Sequence, residues 1–466
     1  MTNSDLDRKI ESKMRAAGMG TPAIAAFVNA VHRVISGETG LLPEKSIDPI
    51  ESLPHLDEVQ KSQARPEALK QLVVIKLNGG LGTGMGLDRA KSLLRIKGED
   101  TFLDFIAKQM FHLRHGASEP AFYLMDSFST QKDTLDYLRK YAGLGSEKGL
   151  DFLQNMVPKL DAATFEPVSW AADPEMEWCP PGHGDLYPAI LGSGLLDHLL
   201  NKGIKYLFVS NSDNLGATVD PALLTYFAAS GLSFLMEVAE RTASDRKGGH
   251  LARRRDDGRL LLRESAQCPK EDETAFQDIS RHRYFNTNNL WIRLDHVKAE
   301  LERCGGALPL ALIKNVKTVD PRKPDSPKVL QLESAMGAAI ECFAQAGAIA
   351  VPRSRFSPVK TTSDLLALRS DAYRITEDFR LVLDESRAGR PPVVDLDNRH
   401  YKLLAEFEEA FAAGAPSLVK CESLRVSGMV RFEAGVTCQG KVEFSNSSSQ
   451  VRTVRAGGYS DTTVQL

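Results

Sequence analysis

The sequence predicts an α/β protein: a mainly parallel sheet flanked by helices, followed by a C-terminal region of different texture. Three observations predict it. Short apolar runs rich in β-branched residues alternate with stretches of helical periodicity, the pattern of parallel strands buried on both faces. The first run, Gln71-Leu-Val-Val-Ile-Lys-Leu77, ends in a glycine-dense turn, at the strand end where open α/β sheets bind ligands. After about residue 390, Val430, Val436 and Val442 recur every six residues, with Gly428, Gly435 and Gly440 interleaved. That period suits a β-helix, whose strands each need a neighbouring coil to bury one face. A pair of β-hairpins would give the same pattern.

Each element has its own signal. Residues 5–38 read as one or two amphipathic helices. Leu6, Ile10 and Met14 recur at helical spacing, as do Ile24, Phe27, Val28, Val31 and Ile35 after Gly20-Thr-Pro22. Residues 42–66 mix prolines with charges and read as a linker or an extended wrap. Ala121-Phe-Tyr-Leu-Met125, Tyr206-Leu-Phe-Val-Ser210 and Phe234-Leu-Met-Glu-Val238 are further strands, with helices predicted over 130–141 and 221–229. Residues 254–262 form a hairpin around Asp257-Gly258, a pair suited to a tight turn. Residues 403–412 are helical. The chain therefore divides into an N-terminal helical region and linker (1–66), a central domain (67–390) and a C-terminal domain (391–466).

Composition excludes several classes. Across 466 residues, 58 Lys and Arg stand against 61 Asp and Glu, a net charge of −3, so no general basic surface exists for nucleic acid. The triplet Arg253, Arg254, Arg255 reads as a solvated hairpin rim. No apolar run is long enough to span a membrane, and the charged start is not a secretion signal. Six scattered cysteines, with no C-x-x-C pair, predict reduced thiols and a cytoplasmic protein.

The strongest chemical feature is Leu77-Asn-Gly-Gly-Leu-Gly-Thr-Gly-Met-Gly86, whose five glycines let backbone N–H groups turn inward around an anion. It matches neither G-x-G-x-x-G nor a Walker loop. Lys91, just beyond, is placed to hold phosphates; the bland alternative is a surface charge. Asp213, in Asn211-Ser-Asp-Asn214 at a strand end, suits a hard cation bridging to phosphates, or a simple turn cap. His183, in Pro180-Pro-Gly-His-Gly-Asp185, suits a sugar hydroxyl or a structural role. Phe285-Asn-Thr-Asn-Asn-Leu-Trp291 is either a sugar-reading edge or a self-satisfied turn. Lys360 precedes a helix start rich in hydroxyls, a second phosphate candidate.

The glycine loop, Pro181-Gly-His-Gly-Asp185, Asn214-Leu-Gly-Ala217, the 285–291 segment, Leu330-Gln-Leu-Glu-Ser334, Val351-Pro-Arg-Ser-Arg-Phe356 and Pro358-Val-Lys-Thr-Thr-Ser-Asp-Leu-Leu366 together resemble the eukaryotic-type UTP–glucose-1-phosphate uridylyltransferases, also called UDP-glucose pyrophosphorylases. The resemblance runs from about residue 72 to 373 and resumes weakly at Leu424. It implies a Rossmann-like, GT-A-like nucleotidyltransferase domain, a C-terminal left-handed β-helix and the use of Mg2+. The implied substrates are UTP and glucose 1-phosphate, and the products UDP-glucose and pyrophosphate. By position, UTP contacts fall on the backbone of Leu77, Asn78, Gly79 and Gly80, on Lys91, Gln154 and Gly182. Sugar contacts fall on His183, Asn211, Asn286, Thr287, Asn288 and Glu333. Asp213 matches the metal ligand and Lys360 the active-site lysine. Two departures stand out: Asp88-Arg-Ala90 replaces the family's Thr-Gly-Pro, and Asn155-Met-Val-Pro158 its Asn-Lys-Tyr-Pro. A pyrophosphorylase for another sugar phosphate, such as N-acetylglucosamine 1-phosphate, and a silent UDP-sugar-binding regulator remain alternatives. No nucleic-acid or membrane partner is expected; a homo-oligomer formed through the C-terminal domain is.

Overall fold

The computed structural model describes residues 3–60, 65–114, 119–242 and 245–466. Residues 61–64 of the predicted linker, and the first two of the charged start, lie outside them.

Seven strands form the central sheet: β1 (Leu72–Asn78), β2 (Ala121–Asp126), β3 (Asp151–Leu153), β4 (Tyr206–Asn211), β5 (Phe234–Glu240), β6 (Tyr284–Arg293) and β7 (Ala346–Ala350). Their spatial order is β7-β5-β6-β4-β1-β2-β3. All neighbours run parallel except β6, which lies antiparallel between β4 and β5. The sheet is thus mixed, and the N-terminal end of β6 stands beside the C-terminal ends of the parallel strands. Side-chain parity builds two cores from one strand. In β1, Leu72 and Val74 join one apolar cluster, while Val73, Ile75 and Leu77 join the other. The first face is covered by Phe102–Arg114 and Pro221–Ser230, the second by Leu186–Gly192, Leu195–Asn201 and Leu294–Arg303. Each fully buried aliphatic side chain contributes about 1.5–3 kcal/mol. Among the described residues no helix is long and apolar enough to cross a membrane.

The N-terminal region is two helices, α1 (Asn3–Ala16) and α2 (Thr21–Ile35). The predicted stripe Leu6, Ile10, Met14, Ile24, Phe27 and Val31 is buried against Leu330 and Leu332 of the strand Lys328–Ser334. The 42–66 segment is more than a linker, because Ile47–Pro49 pairs antiparallel with His250–Arg254. That strand forms the predicted hairpin with Leu260–Arg263. The basic triplet at its turn is engaged locally: Arg253 donates to the Gly258 carbonyl, Arg254 pairs with Glu341, and Arg255 pairs with Asp48.

At the C-terminus, β8 (Val393–Leu396), β9 (Ser417–Ser427), β10 (Val436–Ser445) and β11 (Gly457–Gln465) stack in one parallel sheet, and Val430–Phe432 pairs in parallel with Arg452–Val454. Parallel pairing overturns the hairpin alternative, which requires antiparallel neighbours. Leu424 lies opposite Val442, and Val442 opposite Thr462, so a coil climbs by three six-residue periods or slightly more. Val430, Val436 and Val442 are all buried. Their cluster is continuous with Leu365, Tyr401, Phe407 and Phe411, so this stack shares a core with one face of the central sheet.

Candidate active site

The predicted motifs converge on the edge of the central sheet formed by the C-terminal ends of β1, β2, β3 and β4 and the N-terminal end of β6. After β1 the chain turns at Gly79, where a Cβ would come within 2.5 Å of Gln154 Oε1. The Gly79 carbonyl accepts from Ser127 Oγ at 2.9 Å, and Lys91 N–H closes the loop on the Gly80 carbonyl at 3.1 Å. Asn78 is committed to the fold: its Nδ2 donates to Asp126 Oδ1 at 2.6 Å and Thr134 Oγ1 at 2.9 Å. What this loop offers a ligand is backbone.

Lys91 Nζ reaches Asp213 Oδ2 at 2.6 Å, both groups about one-fifth exposed. Two residues distant in sequence, singled out for phosphate and cation chemistry, therefore touch. Asn211 pairs in register with Leu77, which sets the β4 exit turn directly beside the glycine loop. Gln154 Nε2 donates to the Gly182 carbonyl at 2.9 Å, joining the β3 exit to the 181–184 loop. In that loop His183 Nδ1 accepts the Met336 N–H at 3.0 Å. An accepting Nδ1 carries no proton, so the neutral ring carries it on Nε2. Burial pushes the imidazole down to about 4, which keeps it neutral. Asp185 takes the Asn155 N–H and side-chain amide, and burial raises its carboxyl to about 7.

The three predicted sugar contacts of β6, Asn286, Thr287 and Asn288, separate. A register shift in the β5–β6 ladder after Glu237 leaves Thr287 and Asn288 bulged, and Asn288 adopts φ 59°. Asn286 and Asn288 stay half-buried and exchange hydrogen bonds, Asn286 Nδ2 to Asn288 Oδ1 and Asn288 N–H to Asn286 Oδ1, each 2.8 Å. Thr287 is buried, and its hydroxyl donates to the Glu237 carbonyl at 2.7 Å. Its side chain serves the sheet, which leaves its bulged backbone as what Thr287 offers a sugar. Glu333 lies beside Gly182 and accepts from Asn315 Nδ2 at 2.9 Å.

Lys360 is exposed and precedes the helix Thr362–Arg369. Asp364 Oδ2 takes the N–H groups of Lys360 and Thr361, each at 2.8 Å, closing a capping box. The helix start thus meets its own carboxylate, and the Lys360 ammonium is the charge this segment presents to an anion. The ammonium also acts on Glu264, whose carboxyl is raised by burial and lowered by Lys360. Sequence reasoning missed Glu264, which carries no motif around it. It also missed the buried charges within the strands. Lys76 donates to Ser210 Oγ at 2.8 Å and the Ala217 carbonyl at 2.6 Å, and burial brings its ammonium down to about 7. Glu237 accepts from Arg355, Asn289 and Trp291. An ionisable residue inside an apolar strand was the available signal, since such a group needs a partner.

A sequence model of the family described as UTP–glucose-1-phosphate uridylyltransferase matches residues 24–439. A protein of that name from Solanum tuberosum is 38% identical over 464 residues, spanning 96% of this chain and 94% of its own. One from Saccharomyces cerevisiae is 41% identical over 397 residues, spanning 84% and 78%. Among solved structures, the UDP-glucose pyrophosphorylase of Leishmania major is similar with a TM-score of 0.94 and 48% identity over 99% of both chains.

Proposed function

Because the chain belongs to the UTP–glucose-1-phosphate uridylyltransferase family, we propose that it joins UTP and glucose 1-phosphate into UDP-glucose, releasing pyrophosphate, in a reversible in-line transfer. The observation that carries this reading is the 2.6 Å contact of Lys91 with Asp213 beside the glycine loop. It gathers a phosphate-binding cation and a cation-binding carboxylate at one strand edge.

The attacking phosphate oxygen of glucose 1-phosphate is ionised at neutral pH and needs no general base. The obstacle is repulsion between two anions, so positioning and electrostatics supply most of the rate. Lys91 spans the triphosphate and Lys360 holds the sugar phosphate. The 77–80 backbone, Gln154 and Gly182 seat the nucleotide. His183 donates from Nε2 to the sugar, and Asn211, Asn286, Asn288 and Glu333 line the rest of its pocket.

Asp213 would hold Mg2+. The described residues contain no group of three or more Asp, Glu, His or Cys side chains able to cage a metal. A single carboxylate beside a phosphate site fits this ion, which keeps several waters and takes other oxygens from substrate phosphates. When bound, it supplies positive charge among those phosphates.

The same reading divides the chain at residues 66 and 390, makes the C-terminal stack a left-handed β-helix and gives it the role of an assembly surface between copies. The six-residue period supports the β-helix, and the outer edge of β11, unpaired among the described residues, supports the assembly role. Six free cysteines support a cytoplasmic location. The test is pyrophosphate release from UTP with a panel of sugar 1-phosphates. Preference for glucose 1-phosphate is expected. Preference for N-acetylglucosamine 1-phosphate would reassign the substrate, and UDP-glucose binding with no release for any sugar would leave a binding protein.

A further inference from the structure

The proposed reaction needs Asp213 and Lys360 in a fixed relation, yet they sit on different elements far apart in the chain. One buried side chain joins those elements. Asn214, 1% exposed, follows Asp213 directly. Its Nδ2 donates to the Arg355 carbonyl at 3.1 Å and to Asn289 Oδ1 at 3.3 Å. Its Oδ1 accepts from Ser357 N–H at 3.0 Å and Gly216 N–H at 3.3 Å. The full capacity of the amide, two donors and two acceptor positions, is used. Two of those bonds go to the segment that leads to Lys360, and the Asn214 backbone forms an antiparallel bridge with Pro358.

The approach is close. A Cβ on Gly216 would lie 2.3 Å from the Ser354 carbonyl oxygen, so the two backbones pack with nothing between them. From the other side, the buried Arg355 guanidinium grips Glu237, Nε to Oε2 at 2.7 Å and Nη2 to Oε1 at 2.6 Å, and also donates to the Thr218 carbonyl at 2.8 Å. Glu237 in turn accepts from Asn289 and Trp291 of β6. The 354–358 segment is therefore clamped between the 214–218 turn and the central sheet, and Asn214 ties it to the turn directly beside Asp213.

We propose that Asn214 is a positioning residue: it sets Lys360 relative to Asp213 by fastening the segment before Lys360 to the β4 exit turn. This rests on the function proposed above. A misplacement of about 1 Å at a reacting centre can cost about 10²-fold in rate. Asn214→Ala is therefore expected to lower kcat about 10–100-fold. The KM for UTP should stay within a factor of about three, because the glycine loop and Gln154 seat the nucleotide independently of this tie.

The test is a double-mutant cycle with Lys360→Ala. If Asn214 acts by placing Lys360, the Asn214→Ala loss shrinks to less than about threefold in the Lys360→Ala background, since residues acting as a unit are not additive. A purely structural role would repeat the same loss in both backgrounds, and that result, or parental kcat in Asn214→Ala, overturns the inference. Should the alanine variant fail to fold, Asn214→Asp enters the same cycle. It keeps the shape and the Ser357 contact while losing both donors, and the same suppression in the absence of Lys360 is expected. Parental turnover in Lys360→Ala itself would refute the site assignment and this inference with it, an outcome distinct from additivity.

Discussion

Gly182 is a site position where a single methyl group should do severe damage. Its backbone lies at φ 79°, ψ 170°, a region essentially restricted to glycine. Holding an alanine there costs about 1–3 kcal/mol. A Cβ would also stand 2.4 Å from the Ser334 carbonyl oxygen and 2.9 Å from its nitrogen. Both are backbone atoms of the strand Lys328–Ser334 and cannot rotate away, so relief requires moving a strand, at about 1–3 kcal/mol. The Ser334 N–H donates to the Pro181 carbonyl at 2.9 Å, and losing that bond adds about 1 kcal/mol. Gly182→Ala should therefore lose on the order of 5 kcal/mol, a large part of the stability of an ordinary domain. The Gly182 carbonyl also accepts from Gln154, and His183 follows it, so the KM for UTP should rise in whatever fraction remains folded. Urea unfolding followed by tryptophan fluorescence, with initial-rate kinetics, measures both. Stability within about 0.5 kcal/mol of the parent and an unchanged KM would refute the reasoning, because an ordinary surface substitution does no more.

Asp213→Asn should shift the magnesium titration of activity to higher concentration while UTP docking, followed by calorimetry, changes less; superimposable titrations would remove Asp213 as the metal ligand. Burial raises the Asp126 carboxyl to about 7, with Oδ2 left without a hydrogen-bond partner. The native state then holds a proton that the unfolded chain has released above about pH 4, so this group makes stability fall as pH rises from about 4 to 7. Asp126→Asn should flatten that slope and stabilise the protein at pH 8 by about 1–3 kcal/mol, read as the parent–variant difference in denaturation against pH. Truncation near residue 415 removes Leu418, Val426 and Phe444 from the cluster they share with Phe407 and Phe411, so it should lower thermal stability, or change the mass measured by light scattering, before it changes sugar preference. Unchanged mass and stability with a switched preference would refute the assembly and stability role.

The elements legible in the sequence were those whose signal is local. The β1 run, the stripes of α1 and α2 and the 254–262 hairpin each needed only neighbouring residues to bury a face or close a turn. Residues 42–66 read as a linker or an extended wrap, and the strand within them was not legible, because Ile47–Pro49 is a strand only by virtue of His250–Arg254 beside it, and three residues carry no period of their own. The six-residue repeat was visible, but a repeat of apolar positions does not tell whether neighbouring strands run parallel. β6 was seen only as an amide-rich segment. Its ten residues make a central strand because Glu237 and the Arg355 carbonyl satisfy the polar groups that would otherwise forbid burial.

The chemistry of the site is written in the sequence: glycines that free backbone N–H groups, a lysine near each phosphate candidate, a carboxylate at a strand end. Residue type and local spacing suffice for that, because charge, donor capacity and backbone freedom are properties of individual residues. Which of these groups meet was decided by the tertiary structure alone. Lys91 reaches Asp213 because β1 and β4 lie parallel and in register, Thr287 turns away from its neighbours because a bulge re-aims it, and Lys360 is tied to Asp213 through Asn214. Such contacts follow from strand order, register and the pairing of buried charges across the sheet. These are set by the whole core at once, so no local stretch of sequence contains them.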